Sequence, residues 1–291
     1  MPIGLAVNGV RSRVETEFEP EFAITGQAAG ASGVAVVTNN SANTVTILDL
    51  VSLAPVTGVT DVAVGTAPSG VAINQETNLA VIANSGSNTV STLDLTPLTA
   101  SPIGTLAPAT VAVNQNPIAV AIDPDRGTNG RGLEVVTTLL LNGASTPFGA
   151  LDAVEIGGTV PVKNSSVSIS GLQSTPTGIV FDPAVSPALF YATSTQGNQI
   201  TAFNPDTGGA STIKVGINPA AIAYNFQTST ILTVNALSNS ISIVDSQTFR
   251  TKATLGIGGT SRFSTAIHTL TNLAVIADQA NNRVLLFPVP K

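Results

Sequence analysis

The chain has 291 residues, of which 43% are hydrophobic and only 10% are charged, with a formal net charge of −6 and no cysteine. The lack of cysteine excludes disulfides, thiolate metal sites and a cysteine nucleophile. No run approaches the about 18 consecutive apolar residues of a membrane-spanning helix, and no basic patch favours binding to nucleic acid.

The N-terminal region contains two candidate strands, Ile3–Val7 and Val10–Phe18. The chain begins Met1-Pro-Ile-Gly4, which lacks the basic and apolar regions of a secretory signal peptide. The second strand carries charges at every other position: Arg11, Arg13, Glu15 and Glu17. Period-two spacing places them on one strand face, which predicts a solvated outer strand or, alternatively, a docking edge for a neighbouring domain.

An apolar strand that follows a proline recurs along the chain. Pro68-Ser-Gly-Val-Ala-Ile-Asn74 is its clearest copy. The other copies begin near Pro20, Pro117, Pro176, Pro219 and Arg262. Successive prolines lie 48, 49, 59 and 43 residues apart, a period typical of small sheets repeated around an axis.

Each repeat continues with an apolar second strand, a polar turn, a third strand and a weaker fourth strand. The turns end in asparagine: Asn43, Asn88, Asn198, Asn239 and Asn282. Several third strands end in aspartate: Asp49, Asp94 and Asp245. Asparagine tolerates positive φ and both side chains bond nearby backbone, so we expect both sets to build turns.

The repeats predict an all-β fold, a six-bladed β-propeller of four-stranded antiparallel blades in one domain, residues 1–291. The blades begin near residues 20, 68, 117, 176, 219 and 262. The sixth repeat reaches Pro288-Val-Pro-Lys291 without a fourth strand. We expect residues 1–19 to supply this closing strand, because a closed ring has no exposed first or last sheet.

Two segments resemble a known repeat. Val36-Val-Thr-Asn39 and Val81-Ile-Ala-Asn84, each followed by a polar turn and Asn-Thr-Val, are similar to the YVTN β-propeller repeat. The resemblance covers about residues 20–288 and is weak in the third repeat, and valine or leucine replaces the tyrosine that names the family. It implies a bacterial or archaeal protein that is secreted, periplasmic or on the cell surface, sometimes surface-layer-like and without an assigned activity.

Four first strands end in a polar residue at the same repeat position: Asn74, Asp123, Asp182 and Asn225. In a propeller this strand lines the central channel, so these side chains could form a polar ring at one mouth. Their oxygens suit a hard divalent cation such as Ca²⁺, with Asp123 and Asp182 as the ligands. The alternative is structural, since aspartate before proline also starts turns.

The only histidine, His268, aligns in sequence with one residue in each of the other first strands: Ile24, Ile73, Ile122, Phe181 and Tyr224. Because those positions are apolar, we expect His268 to pack between blades rather than to act as a base or ligand. No nucleophile elbow, phosphate loop or zinc-protease motif occurs in the chain, and no catalytic residue is assigned.

These features predict a non-enzymatic binding or structural module that presents loops to a protein or glycan partner. The long spacing in the third repeat marks an insertion at Leu139–Phe148, where long loops often carry recognition. The candidate contact residues are Leu140, Asn142, Ser145 and Phe148. We expect a monomer, or one domain of a larger chain.

The alternative function is a metal-dependent, lactonase-like hydrolase with its site in the central channel. The polar ring would hold a cation that polarises a carbonyl or activates water. Its residues would be Asn74, Asp123, Asp182 and Asn225.

Overall fold

A computed structural model describes residues 22–24, 33–52, 54–59, 61–99, 103–124, 133–140, 148–156, 161–168, 176–183, 188–258, 263–278 and 281–290. The predicted closing segment, residues 1–19, and the loop residues Asn142 and Ser145 lie outside this set. Contacts divide the chain into two compact units. One comprises the described residues within 18–138 and 152–166, and the other those within 139–151 and 167–291.

The described strands form six sheets, and within each sheet almost every strand pairs with the strand that follows it in the chain. Sheet I contains β1 (Phe22–Ile24), β2 (Val34–Asn39), β3 (Thr44–Asp49), β4 (Ala54–Pro55) and β5 (Val62–Ala63), where both β4 and β5 pair with β3. Sheet II contains β6 (Pro68–Asn74), β7 (Leu79–Asn84), β8 (Thr89–Asp94) and β9 (Ala109–Ala112). Sheet III contains β10 (Val120–Asp123), β11 (Leu133–Leu140), β12 (Phe148–Glu155) and β13 (Val162–Ser168).

The remaining sheets repeat the same antiparallel order. Sheet IV contains β14 (Ile179–Asp182), β15 (Leu189–Ser194), β16 (Gln199–Phe203) and β17 (Ala210–Lys214). Sheet V contains β18 (Pro219–Asn225), β19 (Thr230–Asn235), β20 (Ser240–Asp245) and β21 (Arg250–Gly256). Sheet VI has three described strands, β22 (Phe263–His268), β23 (Leu273–Asp278) and β24 (Arg283–Pro288).

The turn asparagines behave as the sequence predicts. Their φ angles lie between 47° and 60° at Asn43, Asn88, Asn198, Asn239 and Asn282. This left-handed conformation is open to asparagine at little cost and reverses the chain between the second and third strands.

The same asparagines also hold the end of the fourth strand. Their main-chain oxygens accept hydrogen bonds in the pairs Val64 N to Asn43 O, Val113 N to Asn88 O, Val215 N to Asn198 O and Ile257 N to Asn239 O. The side chains of three of these asparagines reach the start of the next sheet. Oδ1 accepts from the residue before the next proline in the pairs Ala67 N to Asn43 (2.8 Å), Asn116 N to Asn88 (2.9 Å) and Asn218 N to Asn198 (2.9 Å).

The hydrophobic core lies between successive sheets within each unit. Sheet I packs on sheet II through residues such as Val45 and Ile47, which meet Ile82 of the next sheet. Sheet V packs on sheet VI through Ile241 and Ile243. Alternation along each strand sends one row of side chains towards the preceding sheet and the other towards the following sheet, which explains why both faces are apolar.

Sheet VI differs from the other sheets on the face whose side chains point towards the following sheet, which we call the forward face. Val284 and Leu286 of β24 occupy the register positions of Ile241 and Ile243 in β20. Their exposed fractions are 54% and 62%, against 1% and 0% for the two isoleucines. The forward face of sheet VI is therefore an uncovered apolar surface in the described part of the chain.

Ala67 carries backbone strain that can be relieved. Its φ is 51° directly before Pro68, whereas the matching positions hold Asn116 (49°) and Asn218 (60°). A left-handed conformation costs an ordinary residue roughly 1–2 kcal/mol, and asparagine less. We expect Ala67→Asn to raise the free energy of unfolding by about 0.5–1 kcal/mol, measured by urea denaturation.

The reverse exchange is the matched control. Asn218→Ala should lower the free energy of unfolding by a similar amount, because it places alanine in the same left-handed conformation. Equal stabilities for all three proteins would contradict the assignment of strain to this position.

Candidate functional site

The four residues of the predicted polar ring each end a first strand and are all buried. Their exposed fractions are 2%, 2%, 0% and 0% for Asn74, Asp123, Asp182 and Asn225. Asn74 Oδ1 accepts hydrogen bonds from Glu76 N at 3.0 Å and Thr77 N at 3.3 Å. The asparagine side chain thus holds the turn into the second strand, as the structural alternative predicts.

Asn225 combines a turn bond with links to the next sheet. Its Oδ1 accepts from Gln227 N at 3.0 Å, and its Nδ2 donates to Thr269 O at 3.1 Å and to Asn272 Oδ1 at 2.8 Å. Asn272 in turn donates to Val289 O at 2.7 Å. Both Oδ1 and Nδ2 of Asn225 therefore make hydrogen bonds within the protein.

Cation binding at Asp123 and Asp182 stays a prediction. Across the described ranges, no group of three or more His, Asp or Glu side chains lies close enough together to hold a metal ion. Both carboxylates have protein partners in the structure.

The aspartates that end third strands hold the following turns, as expected. Asp49 Oδ1 accepts from Val51 N and Ser52 N, and Asp94 Oδ1 accepts from Thr96 N. Partial burial alone would raise the pKa of Asp245. Hydrogen bonds from Thr248 N and Gln247 N and the ammonium of Lys252, 3.0 Å from Oδ2, together hold that pKa below its ordinary value.

The expected alignment of His268 is wrong by one position. His268 pairs with Leu273, as Asn74 pairs with Leu79 and Asn225 with Thr230. It therefore occupies the turn-starting position rather than the apolar position before it. Its Nδ1 lies 2.8 Å from Thr271 Oγ1 and accepts from Thr271 N at 3.3 Å. The sequence alignment failed because imidazole replaces an amide in this role.

The last asparagine of the Val-Val-Thr-Asn segments has a structural role that the sequence analysis missed. It ends the second strand, and its Nδ2 donates to two hydroxyls on the third strand. The bonds run from Asn39 to Thr44 and Thr46, from Asn84 to Thr89 and Ser91, and from Asn235 to Ser240 and Ser242, at 2.8–3.1 Å. The recurring Asn followed by Ser or Thr five and seven residues later was the available signal.

This buried amide, together with a turn serine (Ser87 or Ser238), explains two glycines that follow fourth strands. A Cβ on Gly65 would lie 2.6 Å from Asn84 Cγ, and one on Gly216 would lie 2.6 Å from Asn235 Nδ2. In sheet VI an ion pair replaces the amide and hydroxyls, with Arg283 Nε donating to the buried Asp278 at 2.7 Å.

A cluster of polar side chains between sheets IV and V has no counterpart in sheets I and II. Tyr191 is fully buried, and its hydroxyl lies 3.1 Å from Ser246 O and 3.5 Å from Asp182 Oδ2. The half-buried Tyr224 places its hydroxyl 3.4 Å from Ser246 Oγ, and the two tyrosine rings are 6.2 Å apart. The only two tyrosines of the chain thus surround one buried carboxylate.

The corresponding positions in sheets I and II are apolar. Tyr191 is the third residue of β15, where Val36 and Val81 stand in β2 and β7. Tyr224 corresponds to Ile73, and Ser246 to Leu95. Tyr191-Ala-Thr-Ser194 also carries the tyrosine of the YVTN pattern, a match that the sequence analysis overlooked.

Burial and the nearby carboxylate keep both phenols neutral. Burial, followed by the negative charge of Asp182, raises the pKa of Tyr191 above its ordinary value. Burial also raises the pKa of Tyr224, with the hydrogen bond to Asp182 as the next cause. The phenols can therefore donate hydrogen bonds but are poor proton acceptors at neutral pH.

The predicted insertion appears as a long hairpin in sheet III. Both β11 and β12 have eight residues, and the candidate residues Leu140 and Phe148 end the first and begin the second. The second and third strands of the other sheets have five or six residues. In the described part of the chain, no helix is long and apolar enough to cross a membrane.

We expect the tyrosines to resist titration. Free tyrosine ionises near pH 10, and both folded pKa values lie higher. Their contribution to stability is therefore fully present below about pH 10 and is lost as the pH rises towards the folded pKa values. Tyrosinate absorbance should appear only with unfolding, as followed by circular dichroism. A tyrosinate signal near pH 10 in folded protein would contradict the cluster.

Two substitutions distinguish a turn-forming role of His268 from packing in an apolar position. His268→Asn should retain stability, because an amide oxygen can accept from Thr271 N as Asn74 does from Thr77 N. His268→Leu, suited to an apolar slot, should lower the free energy of unfolding by about 0.5–1.5 kcal/mol. Urea denaturation measures both, and a more stable leucine variant would restore the packing interpretation.

Comparisons with known proteins identify the fold. No protein-family model matches the chain, and no curated protein sequence does. The chain is similar in structure to hydrazine synthase from Kuenenia stuttgartiensis, with a TM-score of 0.67 and 16% identity over 93% of this chain and 83% of that one. It is similar to virginiamycin B lyase from Staphylococcus aureus, with a TM-score of 0.60 and 14% identity over 97% and 88%.

A further likeness is to a functionally unknown protein from Desulfotomaculum acetoxidans, with a TM-score of 0.62 and 12% identity over 87% of this chain and 78% of that one. At these identities the likeness concerns the fold alone. Together with the antiparallel sheets of consecutive strands, it shows that the chain has a β-propeller fold.

Proposed function

We propose that this protein is a binding or structural module that presents the β11–β12 hairpin to a protein or glycan partner. The observation that carries the proposal is the length of these two strands. Leu133 pairs with Asp123 as Leu79 pairs with Asn74, so Thr138 corresponds to Asn84, where β7 ends. β11 continues to Leu140, about 7 Å further at roughly 3.3 Å per residue.

The connection adds to this extension. Residues 141–147 join β11 to β12, whereas four residues, 85–88, join the corresponding strands of sheet II. A long hairpin on a rigid sheet is a common way to display contact residues. Leu140 and Phe148, at its described ends, remain the candidate contact residues together with Asn142 and Ser145.

The base of the hairpin is anchored by a buried charge. Asp152 of β12 is fully buried; its oxygens accept from Asn114 N at 2.6 Å and Asn114 Nδ2 at 2.7 Å, and Lys163 Nζ lies 3.1 Å away. In sheet V, Gly216 N instead donates to Ser242 at 3.3 Å. A carboxylate accepts stronger hydrogen bonds than a hydroxyl does, so Asp152 should hold β12 in place more firmly than a serine would. This suits a strand from which a long hairpin projects.

The sequence of the hairpin favours contacts without ion pairs. No charged residue occurs between Glu134 and Asp152. Binding should therefore rest on apolar contacts and neutral hydrogen bonds, which are little affected by salt. Both a glycan and an uncharged protein surface fit this chemistry.

We also propose that six blades form the ring and that residues 1–19 supply the fourth strand of sheet VI. We further propose that the chain is a YVTN-type propeller that acts outside the cytoplasm. The uncovered forward face of sheet VI supports closure, because the matching face of sheet V is covered by the sheet that follows it. The recurring asparagine–hydroxyl bonds support the repeat type.

A loop exchange tests the binding proposal. Residues 139–149 are replaced by Ser-Gly-Ser-Asn, the turn that sheet II uses at 85–88. Ligands found for the unaltered protein on a glycan array and by crosslinking to cell-envelope proteins should lose at least about tenfold in affinity, measured by calorimetry, while the thermal midpoint of unfolding is retained.

The matched control places the same four residues at 195–198, the corresponding turn of sheet IV. This variant should bind as the unaltered protein does. If the shortened hairpin binds every ligand with unchanged affinity, the partner site lies elsewhere and the proposal fails.

A further inference from the structure

We propose that Tyr191 and Tyr224 form an oxidation site, at which a one-electron oxidant joins the two rings by a carbon–carbon bond and so links sheets IV and V covalently. The product is dityrosine, with the new bond between ring carbons that flank the hydroxyls. All the residues involved belong to the compact unit that contains residues 167–291. Nothing in this chemistry depends on the proposed binding role.

The chain holds few side chains that oxidise readily. It has no cysteine and no tryptophan, one methionine and two tyrosines. Tyrosine is therefore the aromatic side chain of this protein that loses an electron most easily, because phenylalanine lacks the electron-donating hydroxyl. The two tyrosines are 33 positions apart in sequence, and yet they meet between two sheets. Oxidising equivalents that reach the chain should collect at this one place.

The two rings form an aromatic pair whose hydroxyls converge. Their centroids are 6.2 Å apart with 35° between the ring planes, within the about 4.5–7 Å range of aromatic pairs. Tyr191 Oη lies 3.1 Å from Ser246 O, and Tyr224 Oη lies 3.4 Å from Ser246 Oγ. Because both hydroxyls approach one serine, the ring carbons beside them lie at the converging ends of the rings. In a phenoxyl radical these carbons carry much of the unpaired electron.

A buried carboxylate lies where the phenolic protons have to go. Loss of an electron makes a phenol strongly acidic, and a radical cation is costly in an apolar core, so the proton leaves with the electron. Asp182 Oδ2 is 3.5 Å from Tyr191 Oη, and Asp182 also accepts a hydrogen bond from Tyr224. Asp182 is fully buried. It is therefore in place to act as the general base for both rings.

The surroundings protect one ring and leave the other accessible. Tyr191 is fully buried in a cluster with Ile200, Ile222 and Val244, whereas Tyr224 is half-buried. An oxidant at the surface can take its electron from Tyr224, and the electron of Tyr191 follows across the ring pair. The aliphatic side chains around Tyr191 react slowly with phenoxyl radicals, which leaves coupling between the two rings as the favoured reaction.

The reaction balances with two equivalents of oxidant. Each equivalent removes one electron from one phenol, and Asp182 accepts the proton and passes it on to water. The two neutral radicals form one carbon–carbon bond. The hydrogen on each bonded ring carbon then moves as a proton to the phenol oxygen of its own ring. The product has two intact phenols and two hydrogen atoms fewer than the original pair.

Photochemical oxidation of the full-length chain tests the site. Tris(bipyridine)ruthenium and persulfate, illuminated briefly, supply the one-electron oxidant. Trypsin cuts after Lys214, between the two tyrosines, so linkage appears in mass spectrometry as peptides 164–214 and 215–250 joined with the loss of two hydrogen atoms. Folded protein should give this product within one chain. Protein unfolded in urea should give roughly tenfold less, because the fold raises the effective concentration of one ring at the other.

Two aspartate substitutions test the proton acceptor. Asp182→Asn removes the base but keeps the size of the side chain, and should slow linkage at least about tenfold. The control is Asp206→Asn, in an exposed turn of the same sheet, which should link as the unaltered protein does. Circular dichroism shows whether each variant is folded before illumination.

The outcomes separate the site from its base. Equal linkage in folded and unfolded protein, or linkage only between chains, would overturn the oxidation site. Equal rates for Asp182→Asn and Asp206→Asn would overturn the role of Asp182 and retain the site. If Asp182→Asn does not fold, the comparison of folded with unfolded protein still decides whether the site exists. Joined peptides that persist in Tyr191→Phe or Tyr224→Phe would come from other residues and would overturn the assignment.

Discussion

The connections between strands in this fold depend largely on one recurring residue in one backbone conformation. It is the asparagine that ends the turn between the second and third strands. Its positive φ reverses the chain, its main-chain oxygen fixes the end of the fourth strand in four repeats, and in three repeats its Oδ1 accepts a hydrogen bond from the residue before the next proline. Few residue types satisfy all three demands. The left-handed conformation excludes most side chains, and the hydrogen bond to the residue before the next proline requires a short side chain with an acceptor oxygen. This is why asparagine recurs there while neighbouring positions vary.

The departures from the repeat are grouped, and each group replaces one kind of contact by another. Between sheets IV and V, Tyr191, Tyr224 and Ser246 stand where sheets I and II carry aliphatic residues. Between sheets II and III, Asn114 and Asp152 take the places that Gly216 and Ser242 hold between sheets IV and V. Buried polar groups of this kind are tolerated when each hydrogen bond is made, and they favour one packing arrangement over its near alternatives. The sheet III group lies at the base of the extended hairpin, which links this change to the proposed binding role.

The sequence predicted the strand repeat, the turns and an insertion in the third repeat because these depend on local spacing, proline and asparagine, but it did not predict that the strands on both sides of the insertion are lengthened. It could not predict the partners of the ring residues: Asn74 and Asn225 bond to backbone and side-chain groups two to 47 positions away. His268 was misplaced because an imidazole and an amide share a hydrogen-bonding role without sharing polarity or shape. The tyrosine cluster was missed because its members lie up to 64 residues apart, between Asp182 and Ser246, and converge only when two sheets pack.

The bonds from Asn43, Asn88 and Asn198 to the residue before the following proline span only 20 to 28 residues. Donor and acceptor of one junction are thus encoded together, within less than one repeat. A duplication of repeat length that includes one of these three junctions would copy the complete junction along with its sheet, so a gene of this type can gain a blade without new kinds of contact. Variation in blade number among related genes would then be limited by how the ends of the ring meet and not by how neighbouring blades join.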